Sequence, residues 1–168
     1  MINASSHQEK IQLEHQAAAL FMKLYERDTN ITMRHIWHNE PSKPDVSCYR
    51  ADKKLDLEIA HLYGSETEAM AILGRDISLE MQREIAQMMQ EPSENRLQNA
   101  LQRLLHNKAH KRYQSDNVWL VIRNASLLWQ AEDIVAIKNH LRIPEHHPFE
   151  QIWLVGDFHG ESGLVQLF

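Results

Sequence analysis

Two carboxylates, Asp45 and Glu58, have the residue types and spacing that could bind a cation. They lie in residues 45–50 and 55–60, whose β-branched, aromatic and apolar content indicates two β-strands. The residues between these strands suit a hairpin loop of two or four residues. Such a loop would make Asp45 and Glu58 diagonal neighbours on one face, roughly 7–8 Å apart at the backbone. Both carboxylates could then reach one divalent cation, although an ordinary hairpin with a solvated acidic face has the same pattern.

A third carboxylate, Glu14, interrupts an apolar stripe on the first predicted helix, residues 7–26. Ile11, Ala18 and Phe21 recur there at helical spacing, and Glu14 falls on the same stripe. A carboxylate in that position needs a partner, a metal ion or a water-filled cleft. The alternative is that the stripe is narrower and that Glu14 lies at its edge.

A lysine, Lys108, continues the apolar stripe of another predicted helix, residues 94–113. Leu97, Leu101 and Leu104 form one face of that helix, and Lys108 takes the next position on it. A lysine that extends a buried stripe either directs its ammonium out to solvent or points it into a cleft between helix and sheet. The pattern leaves both alternatives open.

These residues must be positioned by an α/β fold. The remaining segments predict strands at 31–37, 117–124, 151–158 and 164–168, and helices at 65–73, 76–90 and 127–141. Strand 117–124 is a continuous apolar run, typical of a strand buried on both faces. The order predicts a single three-layer α/β/α domain over residues 1–168, with a central mixed sheet and a right-handed βαβ crossover near its end.

Composition favours an ordinary soluble protein. The 168 residues are 43% hydrophobic and 24% charged. No apolar stretch is long enough to cross a bilayer, so no membrane partner is expected. The single cysteine, Cys48, excludes an internal disulfide and favours a cytoplasmic location. It lies on the strand face opposite to Asp45, which predicts a buried, inert thiol.

The charge pattern gives mixed indications for nucleic acid. The net charge of −5 argues against a large electrostatic footprint. Basic residues nevertheless collect in one segment, which could hold phosphates or could form a solvated helix face: Arg96, Arg103, Lys108, Lys111 and Arg112. The eleven histidines contain no HExxH pairing, and no glycine-rich phosphate loop or GxSxG elbow is present.

The run Pro44-Asp45, the following Glu58-Ile59-Ala60 and the helix that carries Lys108 together resemble the PD-(D/E)xK nuclease superfamily. The resemblance spans about residues 7–158 by element order. It implies a restriction-endonuclease-like fold in which Asp45 and Glu58 bind Mg²⁺ or Mn²⁺. The backbone carbonyl of Ile59 would be a third ligand, and Glu14 would bind a second ion or its water.

One position departs from the pattern of that superfamily. The motif has lysine two residues after the glutamate, and this chain has Ala60. Some members carry the lysine on the following helix, and Lys108 is the candidate here. The resemblance therefore implies a metal-dependent nuclease with Asp45, Glu58 and Lys108 as catalytic residues. Nucleic acid would be its partner, held by residues of that helix: Arg103, Lys111, Arg112 and Tyr113. The alternative is a catalytically inactive relative that acts as a binding or interaction module. Homo-oligomerisation and a protein partner are both left open.

Overall fold

A computed structural model of the chain describes residues 4–39, 44–64, 79–90 and 95–168. The predicted helix at 65–73, and the beginning of the one at 76–90, lie outside the described residues. The elements of the described part are α1 Ala4–Thr29, β1 Met33–His38, β2 Val46–Arg50, β3 Lys53–Leu62, α2 Leu79–Met89, α3 Arg96–Ala109, β4 Val118–Asn124, α4 Ala131–Ile137, β5 Gln151–Val155 and β6 Leu164–Gln166, with a short 3₁₀ helix Lys138–His140 after α4.

The strands of the described residues form one six-stranded mixed sheet in the order β1-β2-β3-β4-β5-β6. β1, β2 and β3 are antiparallel neighbours, β3, β4 and β5 run parallel, and β6 returns antiparallel to β5. Every residue of β4 is buried, as its continuous apolar run predicts for a strand covered on both faces. The predicted α/β class, with the hairpin and the buried strands in one mixed sheet, is confirmed.

Helices pack on both faces of this sheet. On one face α1 packs Phe21 and Tyr25 against Trp119 and other side chains of the central strands. On the other face α3 packs Leu101 and Leu105, and α4 adds Ile134. Each fully buried leucine contributes about 1.5–3 kcal/mol of apolar burial, so the stripe of α3 holds that helix firmly on the sheet.

The hairpin register differs from the predicted one by two residues. Ser47 pairs with Asp56 rather than with Glu58, and Arg50 pairs with Lys53. The turn is therefore a two-residue one, in which Ala51 adopts a left-handed φ of 55°. An even shift keeps every side chain on its predicted face. Continuing the observed register by one residue places Asp45 directly beside Glu58, closer than the predicted diagonal.

Several element boundaries also differ from the predicted ones. α3 ends at Ala109 instead of continuing to residue 113, so Lys111, Arg112 and Tyr113 follow the helix. The predicted helix 127–141 is shortened to Ala131–Ile137 and its 3₁₀ extension. β5 ends at Val155 rather than at residue 158. Among the described helices, none combines the length and the apolar character that a membrane-spanning segment requires.

Candidate active site at the end of the hairpin

Asp45 lies where β3 extends beyond its partner β2. β2 begins at Val46, and the Oδ2 atom of Asp45 accepts a hydrogen bond of 2.8 Å from the backbone N–H of Ile59. The backbone of Asp45 is fixed in turn by Asn39, whose N–H donates to the Asp45 carbonyl at 3.0 Å. The Asn39 side chain donates to Ser47 Oγ at 2.7 Å. The carboxyl group is thus oriented by backbone contacts on both sides.

Glu58 is nearly fully buried, and three donors converge on one of its oxygens. Oε2 of Glu58 accepts hydrogen bonds from Tyr113 Oη at 2.5 Å, Lys111 Nζ at 3.0 Å and Lys108 Nζ at 3.4 Å. Lys108 comes from the last turn of α3, and its side chain is 20% exposed. Of the two alternatives for Lys108, the structure shows the one in which the ammonium points into the cleft between helix and sheet.

The carboxyl groups of Asp45 and Glu58 lie close enough together for each to shift the pKa of the other. Burial, followed by the neighbouring charge of Glu58, raises the pKa of Asp45 to about 8. Burial also acts to raise the pKa of Glu58, but Lys108, the hydrogen bond from Asp45 and that from Tyr113 lower it to about 2. At neutral pH the pair therefore holds one proton, with Asp45 neutral and Glu58 ionised.

Glu14 lies on α1, close enough to this pair for its charge to raise the pKa of Asp45 further. Its carboxylate lies 3.9 Å from Lys10 Nζ and 3.8 Å from His38 Nδ1. Burial raises the pKa of Glu14, the charge of Lys10 opposes that shift, and Glu58 adds to it. Within the described residues, no three histidine, cysteine or carboxylate side chains form a cluster able to hold a metal ion.

The donors at Asp45 and Glu58 nevertheless fit one hard divalent cation. Both side chains supply oxygen ligands, which Mg²⁺ and Mn²⁺ prefer. The N–H of Ile59 bonds Asp45, and the carbonyl of a strand residue points to the same strand edge as its own N–H. The Ile59 carbonyl therefore faces the edge on which Asp45 lies. Two carboxyl groups that share a proton can exchange that proton for a cation.

Of the four residues predicted to bind nucleic acid, two contact Glu58 and two lie on or at the end of α3. Lys111 and Tyr113 contact Glu58 itself, an arrangement missed by sequence reasoning, which extended the helix through both residues. Arg112 donates to the backbone carbonyls of Ala109 and Lys111 and so closes the end of α3. Arg103 is partly exposed on α3.

Another buried carboxylate, Asp56, supports the site from one side. It accepts hydrogen bonds from Ser47 and Ser115, each at 2.5 Å, and lies 3.6 Å from Lys54 Nζ. These contacts tie the hairpin to the segment that follows α3 and so help to hold Tyr113 in place. The thiol of Cys48 is buried on the opposite face as predicted, and burial raises its pKa to about 12, which leaves it protonated at neutral pH.

Comparisons with models of protein families, with curated proteins and with solved structures found no match for this chain. The resemblance to PD-(D/E)xK nucleases therefore stays a prediction based on the motif and on the order of elements. Function has to be inferred from the geometry that brings Asp45, Glu58 and Lys108 together at the end of the hairpin.

Proposed function

We propose that this protein is a metal-dependent nuclease of the PD-(D/E)xK type, with a restriction-endonuclease-like fold, which hydrolyses phosphodiester bonds of nucleic acid. The observation that supports this most is the contact between Lys108 and Glu58. An ammonium from α3 lies 3.4 Å from the buried carboxylate of Glu58, which the strand register places beside Asp45. In this proposal Lys108 takes the role of the lysine that the motif has at position 60, where this chain has alanine.

The ligand set would be the carboxylates of Asp45 and Glu58 and the carbonyl of Ile59. A bound Mg²⁺ or Mn²⁺ supplies an activated water and neutralises charge on the phosphate. Asp45 must lose its proton to act as a ligand, and the Ile59 N–H keeps its carboxylate oriented. Tyr113 and the two lysines hold Glu58 in one rotamer through its Oε2 atom.

Lys108 and Lys111 would have different roles in the proposed reaction. Burial lowers the pKa of Lys108 although Glu58 opposes the shift, which moves its amine toward the range of a general base or water-orienting group. Burial also acts against the charge of Lys111, but Glu58 raises its pKa, so Lys111 stays an ammonium. Because the Lys111 side chain is half exposed, it can stabilise negative charge that develops on the phosphate.

A second candidate function, a binding or interaction module without catalytic activity, is favoured by one observation. Glu58 already has three donors on one oxygen, so its charge is neutralised without a metal ion. Such a network is stable by itself and needs no substrate to explain it. The departure at Ala60 and the net charge of −5 agree with this alternative.

A cleavage assay separates the two functions. Labelled DNA and RNA, each single- and double-stranded, are incubated with the wild type in Mg²⁺, Mn²⁺ or EDTA, and we expect cleavage only with a metal ion. Lys108→Ala should lower the rate on the order of 10²-fold or more, the usual effect of losing a positioned proton-transfer group. Lys138→Ala is the matched control, because Lys138 is an exposed lysine remote in sequence from this network.

Two outcomes would contradict the assignment. Full metal-dependent activity in Lys108→Ala would show that the lysine of α3 does not replace the one missing at position 60. No cleavage of any substrate by the wild type, with either metal ion, would favour the binding module.

A further inference from the structure

The sheet face that carries Asp45 and Glu58 continues onto β1 and β2 as an exposed aromatic surface, formed by Trp37, Tyr49 and His35. Trp37 and Tyr49 are each 37% exposed, and their ring centroids lie 5.8 Å apart. The ring of His35 packs edge-on against Tyr49 at 6.0 Å. Large aromatic side chains left open to solvent in this way are typical of recognition surfaces.

The backbone of β1 is bent so that His35 belongs to this surface. A β-bulge interrupts the pairing of β1 with β2 between Arg34 and Trp37, and His35 within it has a φ of 60°. A left-handed conformation is unfavourable for a residue other than glycine, and bulges often re-aim a side chain beside a functional site. The aromatic surface is therefore held by the backbone rather than by side-chain packing alone.

The surface lies next to the proposed site. Trp37 pairs with Ser47 on the neighbouring strand, and Ser47 follows Asp45 by two residues on the same face. From strand spacing, the backbone of Trp37 lies roughly 8 Å from that of Asp45. A polymer bound on the aromatic surface would thus reach the carboxylates without crossing another element of the described fold.

Lysines balance the carboxylates along this path. Lys54 pairs with Tyr49, its side chain is 56% exposed, and its ammonium lies 3.6 Å from Asp56. The ammonium groups of Lys111 and Lys108 lie 3.0 Å and 3.4 Å from Glu58 and balance its negative charge. The local charge is therefore compatible with a polyanion although the net charge of the chain is −5.

We propose that the bases of a single-stranded nucleic acid stack on the aromatic surface, and that this contact directs its backbone to Asp45 and Glu58. The proposal rests on the proposed nuclease function and names its substrate class. Exposed rings can stack on any base, whereas a duplex keeps its base faces covered. Trp37 and Tyr49 then select unpaired strands, and Lys54 and Lys111 contact the phosphates.

Binding measured in EDTA tests this independently of cleavage. The probes are fluorescein-labelled oligothymidine and a blunt DNA duplex of the same length, followed by fluorescence anisotropy. The wild type should bind the single strand more tightly than the duplex. Trp37→Ala and Tyr49→Ala should each weaken single-strand binding by about 5- to 150-fold, which corresponds to ~1–3 kcal/mol per stacked base.

Two variants control for folding and for nonspecific loss of an aromatic ring. Trp37→Phe keeps a ring and should retain affinity within a few-fold, while most of the tryptophan quenching caused by oligothymidine disappears. Phe168→Ala removes a 50% exposed aromatic side chain that follows β6, at the other edge of the sheet, and should leave affinity unchanged. Circular dichroism confirms that each variant is folded.

The outcomes separate this proposal from the nuclease function. Unchanged affinity in folded Trp37→Ala and Tyr49→Ala, equal or tighter binding of the duplex, or no binding of oligothymidine would each overturn the proposed surface, even if the protein cleaves nucleic acid. Ring-dependent binding of the single strand without cleavage in Mg²⁺ or Mn²⁺ would support the surface and reject the nuclease function.

Discussion

Replacing Asp45 with asparagine should separate the stability of the protein from its activity. Asp45 accepts a hydrogen bond from the Ile59 N–H, and its raised pKa leads us to expect a neutral carboxyl group that shares its proton with Glu58. An asparagine has the same shape and can make both contacts, since its carbonyl accepts and its amide donates. It cannot, however, become an anionic ligand for a metal ion. Asp45→Asn should therefore fold normally and lose metal-dependent cleavage.

The direction of the stability change follows from the pKa of Asp45. That pKa rises from an ordinary value of 3.8 to about 8 in the folded protein. The stabilising contribution of neutral Asp45 is therefore fully present only below about pH 4, and it is lost as the pH rises toward 8. At ~1.4 kcal/mol per pH unit the loss at pH 7 would be ~4 kcal/mol. Because Asp45 is partly exposed, screening by solvent reduces it to ~2 kcal/mol.

Urea unfolding of both proteins in EDTA, near pH 4 and near pH 7, measures this difference. We expect equal free energies of unfolding near pH 4, and a variant more stable than the wild type by ~2 kcal/mol near pH 7. Groups shared by the two proteins cancel in the comparison. A variant that is less stable than the wild type near pH 7, or a difference that does not change with pH, would show that Asp45 is an anion in the folded protein and would refute the shared proton.

Three further predictions concern stability, each measured by urea unfolding. Burial lowers the pKa of His61 to about 3, so the wild type should lose stability as the pH falls below about 6.5. His61→Gln should reduce that loss. Parallel pH profiles of the two proteins would contradict this role of His61. Tyr113→Phe removes a donor to ionised Glu58 and should cost about 1–2 kcal/mol, whereas unchanged stability would show that the hydrogen bond contributes nothing. Leu101→Ala should lower the free energy of unfolding by about 2–5 kcal/mol, because Leu101 is fully buried. The exposed control Leu128→Ala should lower it by less than ~0.5 kcal/mol. A small loss for Leu101→Ala would mean that α3 is not anchored as described.

The pattern of apolar residues predicted the sheet well. A strand buried on one face alternates apolar and polar residues, and a strand buried on both faces is a continuous apolar run. β4 is an example: its unbroken apolar run indicated a strand covered on both sides, and all of its residues are buried. The hairpin register was wrong because Lys53 and Lys54 look like loop residues. Both instead extend β3 with charged side chains at its exposed end. The shift by an even number kept the face of Asp45 and Glu58 correct.

The contacts around Glu58 could be predicted only in part. Lys108 continues the stripe of α3, so its approach to the sheet follows from helical periodicity. Lys111 and Tyr113 lie beyond the end of the helix, where no period applies and the path of the chain depends on tertiary contacts. One of these is the hydrogen bond of Ser115 to Asp56. Local patterns carry no information about such long-range pairs, and the convergence of three donors on one carboxylate oxygen was missed for that reason.

Calorimetric titration with Mn²⁺ near pH 7 tests the metal site most directly. The wild type should bind one ion weakly, because two carboxylates and a carbonyl make an open site. Repeating the titration in buffers of different ionisation enthalpy should show the release of about one proton, that of Asp45. Asp45→Asn should show no binding, and Lys138→Ala should match the wild type. Equal heats from the wild type and Asp45→Asn, or no binding by the wild type, would contradict a metal site at Asp45 and Glu58.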